Sequence, residues 1–496
     1  MTYPTYHNLI GGEWMPATSG KTTLNVNPAD HDDIVGSFPS SGPEDVAKAV
    51  AAAKKAFATW RLVPAPKRAE ILVRAGSLLQ QRKEQFARDM TREMGKVLAE
   101  TRGDVQEAID EAFYVAGEGR RLFGQTTPSE LQNKFAMSIR MPVGVIGLIT
   151  PWNFPMAIPS WKLFPALVGG NTCVIKPATD TPLSVYNLVQ TLVDAGLPDG
   201  VVNIVSGSGG AVGNSLVEHP DVRAISFTGS SEVGSHVAQR AAATFKPVSL
   251  EMGGKNAQIV LDDANLDLAL DGALWGAFGT TGQRCTATSR ILLQKGISRK
   301  FTDEFVDRVR KLKIGNGLDE SVQVGPQVNK SQIETSANYV EIATKDGGKL
   351  LCGGHALTTG DFAKGTFFEP TVFAGVTPTM RLAREEVFGP VVAVIEFDTF
   401  EQGIEIANSI DYGLSSALYT KDLNRAFAAI RDLEAGITYI NAPTIGAEVH
   451  LPFGGVKATG NGHREGNGAI DFFTTWKAVY VDYSDRLQRA QIDNAE

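Results

Sequence analysis

Cysteine, histidine and long apolar runs are all scarce in this sequence. Only three of its 496 residues are cysteines and seven are histidines. The cysteines form neither an even set nor a Cys-x-x-Cys pair, which argues against a disulfide framework and favours a reducing compartment. No segment reaches the roughly 18 uninterrupted apolar residues of a spanning helix. The N-terminal residues also lack the basic and apolar regions of a signal peptide. We therefore expect a cytoplasmic protein without membrane contact.

Blocks of like charge are also missing. The chain has 47 Lys and Arg against 55 Asp and Glu, a formal net charge of −8 spread along the sequence. This pattern gives no basic footprint for a nucleic acid and no polybasic patch for a membrane. No His-x-x-x-His or cysteine cluster predicts a metal site. With 43% hydrophobic and 21% charged residues, the composition is typical of a globular protein of roughly two to four domains.

One cysteine has the setting of a reactive thiol. Cys173 lies in an apolar run and Cys352 ends a strand before a turn, so both are expected to be packing residues. Beside Cys285, Gly282 permits close approach of a ligand, and Arg284 supplies a cation that favours a thiolate. From these neighbours alone, Cys285 is either a nucleophile or a structural thiol.

Short β-rich apolar runs alternate with helical patterns after Met141. Alternation of this kind predicts βαβ units and a mostly parallel sheet, whose ligands collect beyond the carboxyl ends of the strands. A second alternation runs from Glu251 to about residue 455, so we predict the α/β class with two such domains. The first set of strands is predicted at 143–150, 172–176, 201–205, 224–228 and 248–250, and its helices at 156–168, 182–195, 211–218 and 232–243.

The two ends of the chain have other textures. The residues up to Asn27 have hairpin character, and a capping-box pattern from Ser41 to Glu44 predicts a helix over 45–60. Charged helical stretches at 66–82 and 84–123 are expected in an outer layer. Alternating aromatic and β-branched residues over 472–483 predict an exposed strand that pairs with another chain.

A nucleophile needs an activating base and a group that polarises the carbonyl of its substrate. No histidine lies near Cys285 in sequence, whereas Glu251 ends a predicted strand; its alternative role is to pair with Lys255. Asn153, after the first strand, is either an oxyanion donor or a helix cap. Lys176, at the end of the second strand, either contacts a ribose or phosphate or is simply exposed.

Two glycine motifs are candidates for a nucleotide site. Gly207-Ser-Gly209-Gly-Ala-Val-Gly213 departs from the dinucleotide fingerprint, because Val212 stands where the fingerprint has Gly or Ala. Gly229-Ser230 follows a strand and opens a helix, so its amide groups are placed to face a pyrophosphate. Each motif alone is a weak signal.

Seven motifs, taken in order, resemble those of the NAD(P)-dependent aldehyde dehydrogenase superfamily, and they span nearly the whole chain. They are Pro-Trp-Asn-Phe-Pro, Lys-Pro-Ala, Phe-Thr-Gly-Ser, Leu-Glu-Met-Gly-Gly-Lys, Gly-Gln-Arg-Cys, Glu-Glu-Val-Phe-Gly-Pro and Pro-Phe-Gly-Gly. The resemblance implies that Cys285 attacks an aldehyde, and that Asn153 and the backbone N–H of Cys285 hold the oxyanion. After hydride transfer, Glu251 would activate the water that hydrolyses the thioester.

The resemblance also implies the cofactor contacts. Glu386 would bind the nicotinamide ribose beside Phe388, Lys176 the adenosine ribose, and Ser230 the pyrophosphate, with Trp152, Gly209 and Gly229 as further contacts. Many NAD-preferring members have Glu where this chain has Thr179, so we expect NAD or NADP to serve.

The expected domains follow from the same resemblance. Residues 1–123 and 143–251 would bind NAD(P), and residues 252–455 would carry the nucleophile. Residues 124–142 and 472–496 would form a β extension for a homodimer or homotetramer, and residues 456–471 would return to the cofactor domain.

The substrate is expected to be a small aldehyde. The sequence from Gly460 to Glu465, together with the Trp-Lys-Ala-Val-Tyr-Val-Asp ending, most resembles the bacterial α-ketoglutaric semialdehyde (2,5-dioxovalerate) dehydrogenases. Arg284 would then contact a distal carboxylate, or else turn away to pair with a structural acid. A broad-range aldehyde dehydrogenase and a cysteine-dependent esterase or acyltransferase are the alternatives. CoA-acylating relatives usually lack the base that Glu251 supplies.

Overall fold

The computed structural model describes residues 3–493, and within this range the chain alternates between strands and helices. The strands are β1 (Asn8–Ile10), β2 (Glu13–Met15), β3 (Thr22–Val26), β4 (Ile34–Pro39), β5 (Gln125–Pro128), β6 (Lys134–Pro142), β7 (Val145–Ile149), β8 (Thr172–Lys176), β9 (Val202–Ile204), β10 (Val222–Thr228), β11 (Val248–Glu251), β12 (Asn256–Val260), β13 (Thr288–Gln294), β14 (Lys349–Cys352), β15 (Ala356–Leu357), β16 (Phe367–Phe368), β17 (Thr371–Ala374), β18 (Val391–Phe397), β19 (Tyr412–Gly413), β20 (Ser415–Tyr419), β21 (Ile437–Ile440), β22 (Pro452–Phe453), β23 (Val456–Lys457), β24 (Glu465–Gly466) and β25 (Thr474–Asp482). The helices are α1 (Pro43–Trp60), α2 (Ala65–Met94), α3 (Leu98–Glu118), α4 (Ala157–Val168), α5 (Pro182–Asp194), α6 (Asn214–Glu218), α7 (Ser231–Ala242), α8 (Leu266–Phe278), α9 (Lys295–Val309), α10 (Lys330–Lys345), α11 (Arg381–Arg384), α12 (Phe400–Asn408), α13 (Leu423–Asp432) and α14 (Ala469–Phe472).

The first large sheet has the strand order β11-β10-β7-β8-β9-β1-β2. Its first five strands are parallel, and the β1–β2 hairpin joins β9 in the antiparallel direction. Apolar clusters lie on both faces, with α2 to α5 on one and α1, α6 and α7 on the other. Burial on both faces explains why these strands read as continuous apolar runs. The predicted hairpin and parallel strands are confirmed.

The second large sheet has the order β14-β17-β18-β13-β12-β20-β21, and β14 is its antiparallel strand. The chain crosses into it between Glu251, which ends β11, and Asn256, which begins β12. The segment before β13 carries Cys285, and the segment before β18 carries Glu386. The carboxyl edge of the first sheet therefore supplies one side of a cleft, and the amino edge of the second supplies the other.

A third, antiparallel sheet has the order β25-β6-β5. The nine residues of β25 pair with β6 of the same chain, from Thr474 opposite Pro142 to Asp482 opposite Lys134. The strand predicted at 472–483 is confirmed, but the pairing seen here is within the chain, and β25 is one of the two edge strands of this sheet. Of the ranges 1–123 and 472–496, residues 1–2 and 494–496 lie outside the described residues.

Two predictions about the helices are wrong. The cap of α1 is Gly42, whose N–H donates to the Asp45 carboxylate at 3.1 Å, one residue beyond the predicted box. The break between α2 and α3 comes at Gly95, in the left-handed region (φ 93°), rather than near Lys83, because the charged residues around Lys83 include no helix breaker. The two helices pack over α4 and α5, as expected of an outer layer, but five charged side chains are buried in them or between them: Arg68, Glu93, Lys96, Asp104 and Glu111.

No helix within residues 3–493 has the length and apolar character needed to cross a membrane.

Candidate active site

Two cavities meet at Cys285 in the cleft between the large sheets. The larger has a volume of about 400 Å³ and an aromatic wall that includes Phe154, Trp161, Trp275 and Phe453. The smaller has a volume of about 240 Å³. Both are lined by Cys285 together with Ile158, Thr228 and Met252. The thiol is therefore placed to face a different ligand on each side.

The loop before Cys285 is held in an uncommon conformation. Thr280, Thr281 and Gly282 all have positive φ angles, of 53°, 57° and 71°, which costs free energy for the two threonines. The Thr280 N–H donates to the Glu100 carboxylate at 2.8 Å, and Asn256 Nδ2 donates to the Cys285 carbonyl at 2.7 Å. These bonds from α3 and β12 fix the loop that presents the thiol.

The Cys285 thiol is not activated in this state. Burial raises its pKa to about 12, and the nearby Glu386 and Glu251 add to the rise. The expected cation does not compensate, because Arg284 is turned toward Glu100, Nη2 to Oε1 3.3 Å. Formation of the thiolate therefore requires a proton acceptor in the site.

Glu251 is one of the carboxyl groups that share the larger cavity with the thiol. It ends β11, its side chain is 2% exposed, and neither carboxyl oxygen has a hydrogen-bond partner within residues 3–493. Burial and the neighbouring Glu465 raise its pKa well above the ordinary value. A carboxylate in this environment takes up a proton readily, as a general base must.

Asn153 lies on the other side of Cys285, in the wall of the smaller cavity. Its buried Nδ2 donates to the Gln283 carbonyl at 3.2 Å, within the loop of the nucleophile. An amide nitrogen carries two N–H groups. One remains for an oxygen bound at Cys285.

Five of the eight predicted cofactor residues line the smaller cavity: Trp152, Gly229, Ser230, Glu386 and Phe388. Glu386 Oε1 accepts a hydrogen bond from the Gly254 N–H at 3.0 Å, and burial raises the pKa of Glu386 to about 7. The rings of Trp152 and Phe388 meet edge to face, with centroids 5.2 Å apart. Ser230 caps α7, accepting from the Val233 N–H at 3.4 Å.

The other three cofactor candidates lie outside this cavity. Lys176 is buried at the end of β8, where its Nζ donates to the Pro177 carbonyl at 2.6 Å and burial lowers its pKa to about 8. Thr179 and Gly209 are exposed. A side chain on Gly213 would come within 3.8 Å of Lys176. The turn at residues 209–213 therefore lies beside this lysine, farther along the edge of the sheet than the smaller cavity.

The sequence did not predict the buried ion pair that Lys162 and Glu465 form beside Glu251. Lys162 Nζ contacts the Glu465 carboxylate and donates to Ser226 Oγ at 2.9 Å. Lys162 could have been singled out from the sequence, because it is the only charged residue in the apolar helix α4. Its partner Glu465 is 303 residues away in sequence, and no local pattern pairs them.

Arg284 pairs with a structural acid, which is one of its two predicted roles, and it also reaches the larger cavity. Its Nε donates to Thr280 Oγ1 at 2.9 Å and its Nη2 contacts Glu100, while the side chain also lines the larger cavity. The guanidinium lies 5.2 Å from the ring centroid of Phe154. Within the described chain no hydrogen bond engages Nη1, so part of the guanidinium is available to a ligand.

The site has a thiol between two cavities, with a carboxyl group and an amide beside it, and the sequence matches a known family over most of its length. The model of the aldehyde dehydrogenase family matches residues 14–479. The chain belongs to the aldehyde dehydrogenase family. It is an NAD(P)-dependent enzyme that oxidises an aldehyde, and the predicted superfamily and α/β fold are confirmed.

Among its relatives, an alpha-ketoglutaric semialdehyde dehydrogenase of Bacillus subtilis is 43% identical, over 96% of this chain and 98% of that protein. An alpha-ketoglutarate semialdehyde dehydrogenase of Haloferax volcanii is also 43% identical, over 97% of this chain and 100% of that protein. An NAD-dependent aldehyde dehydrogenase of Sinorhizobium meliloti has a solved structure that is similar with a TM-score of 0.95, 37% identity, and coverage of 98% of this chain and 96% of that chain. The structure of an Escherichia coli NADP dependent enzyme gives a TM-score of 0.93, 38% identity, and coverage of 96% and 98%.

Proposed function

We propose that this aldehyde dehydrogenase oxidises α-ketoglutaric semialdehyde to the dicarboxylate through a thioester on Cys285. The observation that carries the proposal is the position of Cys285 between the two cavities, with Glu251 in one and Glu386 and Phe388 in the other. The names of the Bacillus and Haloferax relatives support this choice of aldehyde.

The chemistry follows from the groups around the thiol. Cys285 Sγ gives its proton to Glu251, directly or through water, and bonds to the aldehyde carbon. The free Asn153 N–H and the Cys285 backbone N–H stabilise the resulting oxyanion. NAD(P), when bound, supplies the hydride acceptor. Glu251 first releases the proton of Cys285 to solvent and then, ionised again, deprotonates the water that attacks the thioester. The acid product separates from the Cys285 thiolate, which takes a proton back from Glu251.

The smaller cavity fits the nicotinamide end of the cofactor. The Glu386 carboxylate is held so close to the Gly253–Gly254 backbone that a side chain on Gly253 would overlap it. A carboxylate fixed in this way can accept hydrogen bonds from the two hydroxyl groups of a ribose. The rings of Phe388 and Trp152 provide apolar surface for the nicotinamide. Gly229 and Ser230 stand at the start of α7, and the N-terminus of a helix favours the binding of a pyrophosphate. We assign the adenosine end to Lys176, Thr179 and Gly209.

We expect the enzyme to use both NAD and NADP, because Thr179 brings no carboxylate to the adenosine ribose. The T179E variant should lower kcat/KM for NADP by about 100-fold, since juxtaposed like charges cost several kcal/mol, without lowering it for NAD. The neutral variant T179Q is the matched control. A wild-type kcat/KM for NADP more than about a thousandfold below that for NAD, roughly 4 kcal/mol, would contradict the expectation.

We assign cofactor binding to residues 1–123 and 143–251, with 456–471 returning to that unit, and the nucleophile to residues 252–455.

We also propose that the sheet within 124–142 and 472–496 joins subunits into a homodimer or homotetramer. Exposed aromatic side chains on the edge strand β25 support this role: Trp476 is 52% and Tyr480 68% exposed. Burying such side chains against a second chain would be favourable.

We propose that Arg284 Nη1 binds the distal carboxylate of the semialdehyde. The R284A variant should lower kcat/KM for α-ketoglutaric semialdehyde by about 10- to 100-fold, the worth of a charge-assisted hydrogen bond. Its effect on pentanal, a neutral aldehyde of equal chain length, should stay within about threefold, because pentanal has no group for this bond. An equal loss on both aldehydes would contradict a carboxylate contact and favour a broad-range aldehyde dehydrogenase.

A further inference from the structure

The larger cavity holds more carboxyl groups than cations. Five acidic residues line it: Glu100, Asp104, Glu107, Glu251 and Glu465. Three of these have a basic partner. Asp104 pairs with Lys96 at 2.6 Å, Glu100 with Arg284 at 3.3 Å, and Glu465 with Lys162. Glu251 is the proposed base, which leaves Glu107 without an assigned role.

Glu107 faces the cavity from α3 without a counter-ion. In the part of the chain that the structure describes, no hydrogen bond or ion pair reaches its carboxyl group. The charged groups around it come from several elements: Asp104 and Glu111 on its own helix, Lys96 before that helix, Arg284 in the nucleophile loop, and Glu465 in β24. Burial, with the negative charge of Asp104, raises the pKa of Glu107 to about 8.

A neutral carboxyl group has an O–H to donate, and it lies among other unused donors. The Trp161 side chain lines the cavity, is 3% exposed, and its indole N–H has no partner among residues 3–493. Arg284 Nη1 is the further unused donor described above. Unused donors around one cavity match a ligand that has acceptors only, such as a carboxylate with an adjacent keto oxygen.

We propose that Glu107, in its protonated form, donates a hydrogen bond to the distal oxo-acid end of the substrate and so determines the specificity of the cavity for acidic aldehydes. The inference rests on the semialdehyde function proposed above. It makes Glu107 a specificity-determining residue, because its ionisation would place a negative charge against the carboxylate of the substrate.

An ionised Glu107 among aromatic rings would instead suit an ammonium group. The described contacts disfavour this occupant, because the rings already have cations beside them. Lys96 Nζ lies 3.8 Å from the Phe154 centroid, and the Arg284 guanidinium lies 5.2 Å from Phe154 and 6.0 Å from Trp275. A cationic aldehyde would be repelled by both.

The test measures kcat/KM for α-ketoglutaric semialdehyde and for pentanal between pH 7 and pH 9, and takes their ratio at each pH. The ratio removes effects of Cys285 and Glu251 that both aldehydes share. With a pKa of about 8, the protonated fraction of Glu107 falls about tenfold over this range, so the wild-type ratio should fall about tenfold. In E107Q, whose amide N–H donates at every pH, the ratio should stay constant within about twofold.

D110N is the matched control, because Asp110 lies on the exposed side of the same helix, and its ratio should follow that of the wild type. A constant wild-type ratio, or an E107Q ratio that falls like the wild type, would overturn the role of Glu107. So would a preference for 4-trimethylammoniobutanal over pentanal that E107Q abolishes. If wild type at pH 7 does not prefer the semialdehyde to pentanal, the proposed function itself fails.

Discussion

Replacing Cys285 with serine should abolish aldehyde oxidation, with kcat/KM falling by about 10⁴-fold or more, as expected when a catalytic nucleophile is removed. The physical reason is that the site already disfavours an anion at this position, since burial raises the pKa of the Cys285 thiol to about 12. A serine hydroxyl is far less acidic than a thiol and would remain protonated there. The rate of NAD(P)H formation with α-ketoglutaric semialdehyde measures the loss.

The matched control is C352S, because Cys352 is a partly buried thiol that lines neither cavity. Its activity should stay within about twofold of wild type, as for most substitutions away from a functional site. C285S activity above a hundredth of the wild-type value would contradict the role of Cys285 as nucleophile. Hydrolysis of esters without NAD(P), together with no NAD(P)H formation from any aldehyde, would instead support a cysteine-dependent esterase or acyltransferase.

Replacing Glu251 with glutamine should lower kcat by about 10²- to 10⁴-fold, the usual worth of a general base. The amide keeps the shape of the side chain but cannot accept the proton of water. If thioester hydrolysis is the step most impaired, mixing E251Q with aldehyde and NAD(P) should give about one equivalent of NAD(P)H per subunit, followed by a still slower steady rate. This first equivalent should form more slowly than in wild type, because Glu251 also takes the proton of Cys285. Stopped-flow absorbance measures both phases.

The pH dependence gives a second readout for Glu251. Its pKa is raised by burial and by Glu465, so the carboxylate form of the base becomes more abundant as the pH rises. Wild-type kcat should therefore increase with pH until Glu251 is ionised, and E251Q should lack this increase. A thermal unfolding midpoint of E251Q at pH 7 close to that of wild type would show that the fold is kept. A wild-type steady-state rate in E251Q would refute the assignment.

The sequence predicted the first sheet well because strong local signals define it. Continuous apolar runs ending at Lys176 and Glu251 correspond to β8 and β11, and the parallel order places their ends on one edge. The rule that ligands collect at carboxyl ends did not extend to the second sheet, whose amino edge faces the cleft. That position depends on how the chain crosses at Gly253 and Gly254, which no local pattern encodes.

The contacts of the site residues could not be predicted from the sequence, because their partners lie far away along the chain. Arg284 had two possible partners, and the choice of Glu100 depends on α3 packing against the nucleophile loop, 184 residues away. The same packing lets Thr280 and Thr281 adopt positive φ angles, which their residue type disfavours. The raised pKa of Glu251 likewise depends in part on Glu465, which lies far away along the chain. The catalytic roles and the cofactor-binding roles of the site residues, Lys176, Thr179 and Gly209 included, stay predictions.

The central claim is that Cys285 carries the oxidised substrate as a thioester until Glu251 activates water. Mass spectrometry of the Cys285 peptide tests it most directly, after E251Q is mixed with α-ketoglutaric semialdehyde and NAD(P) and quenched in acid. We predict that this peptide gains the mass of the acyl group in near-stoichiometric yield, and that the peptide from C285S does not. An unmodified Cys285 peptide after one equivalent of NAD(P)H has formed would contradict the claim.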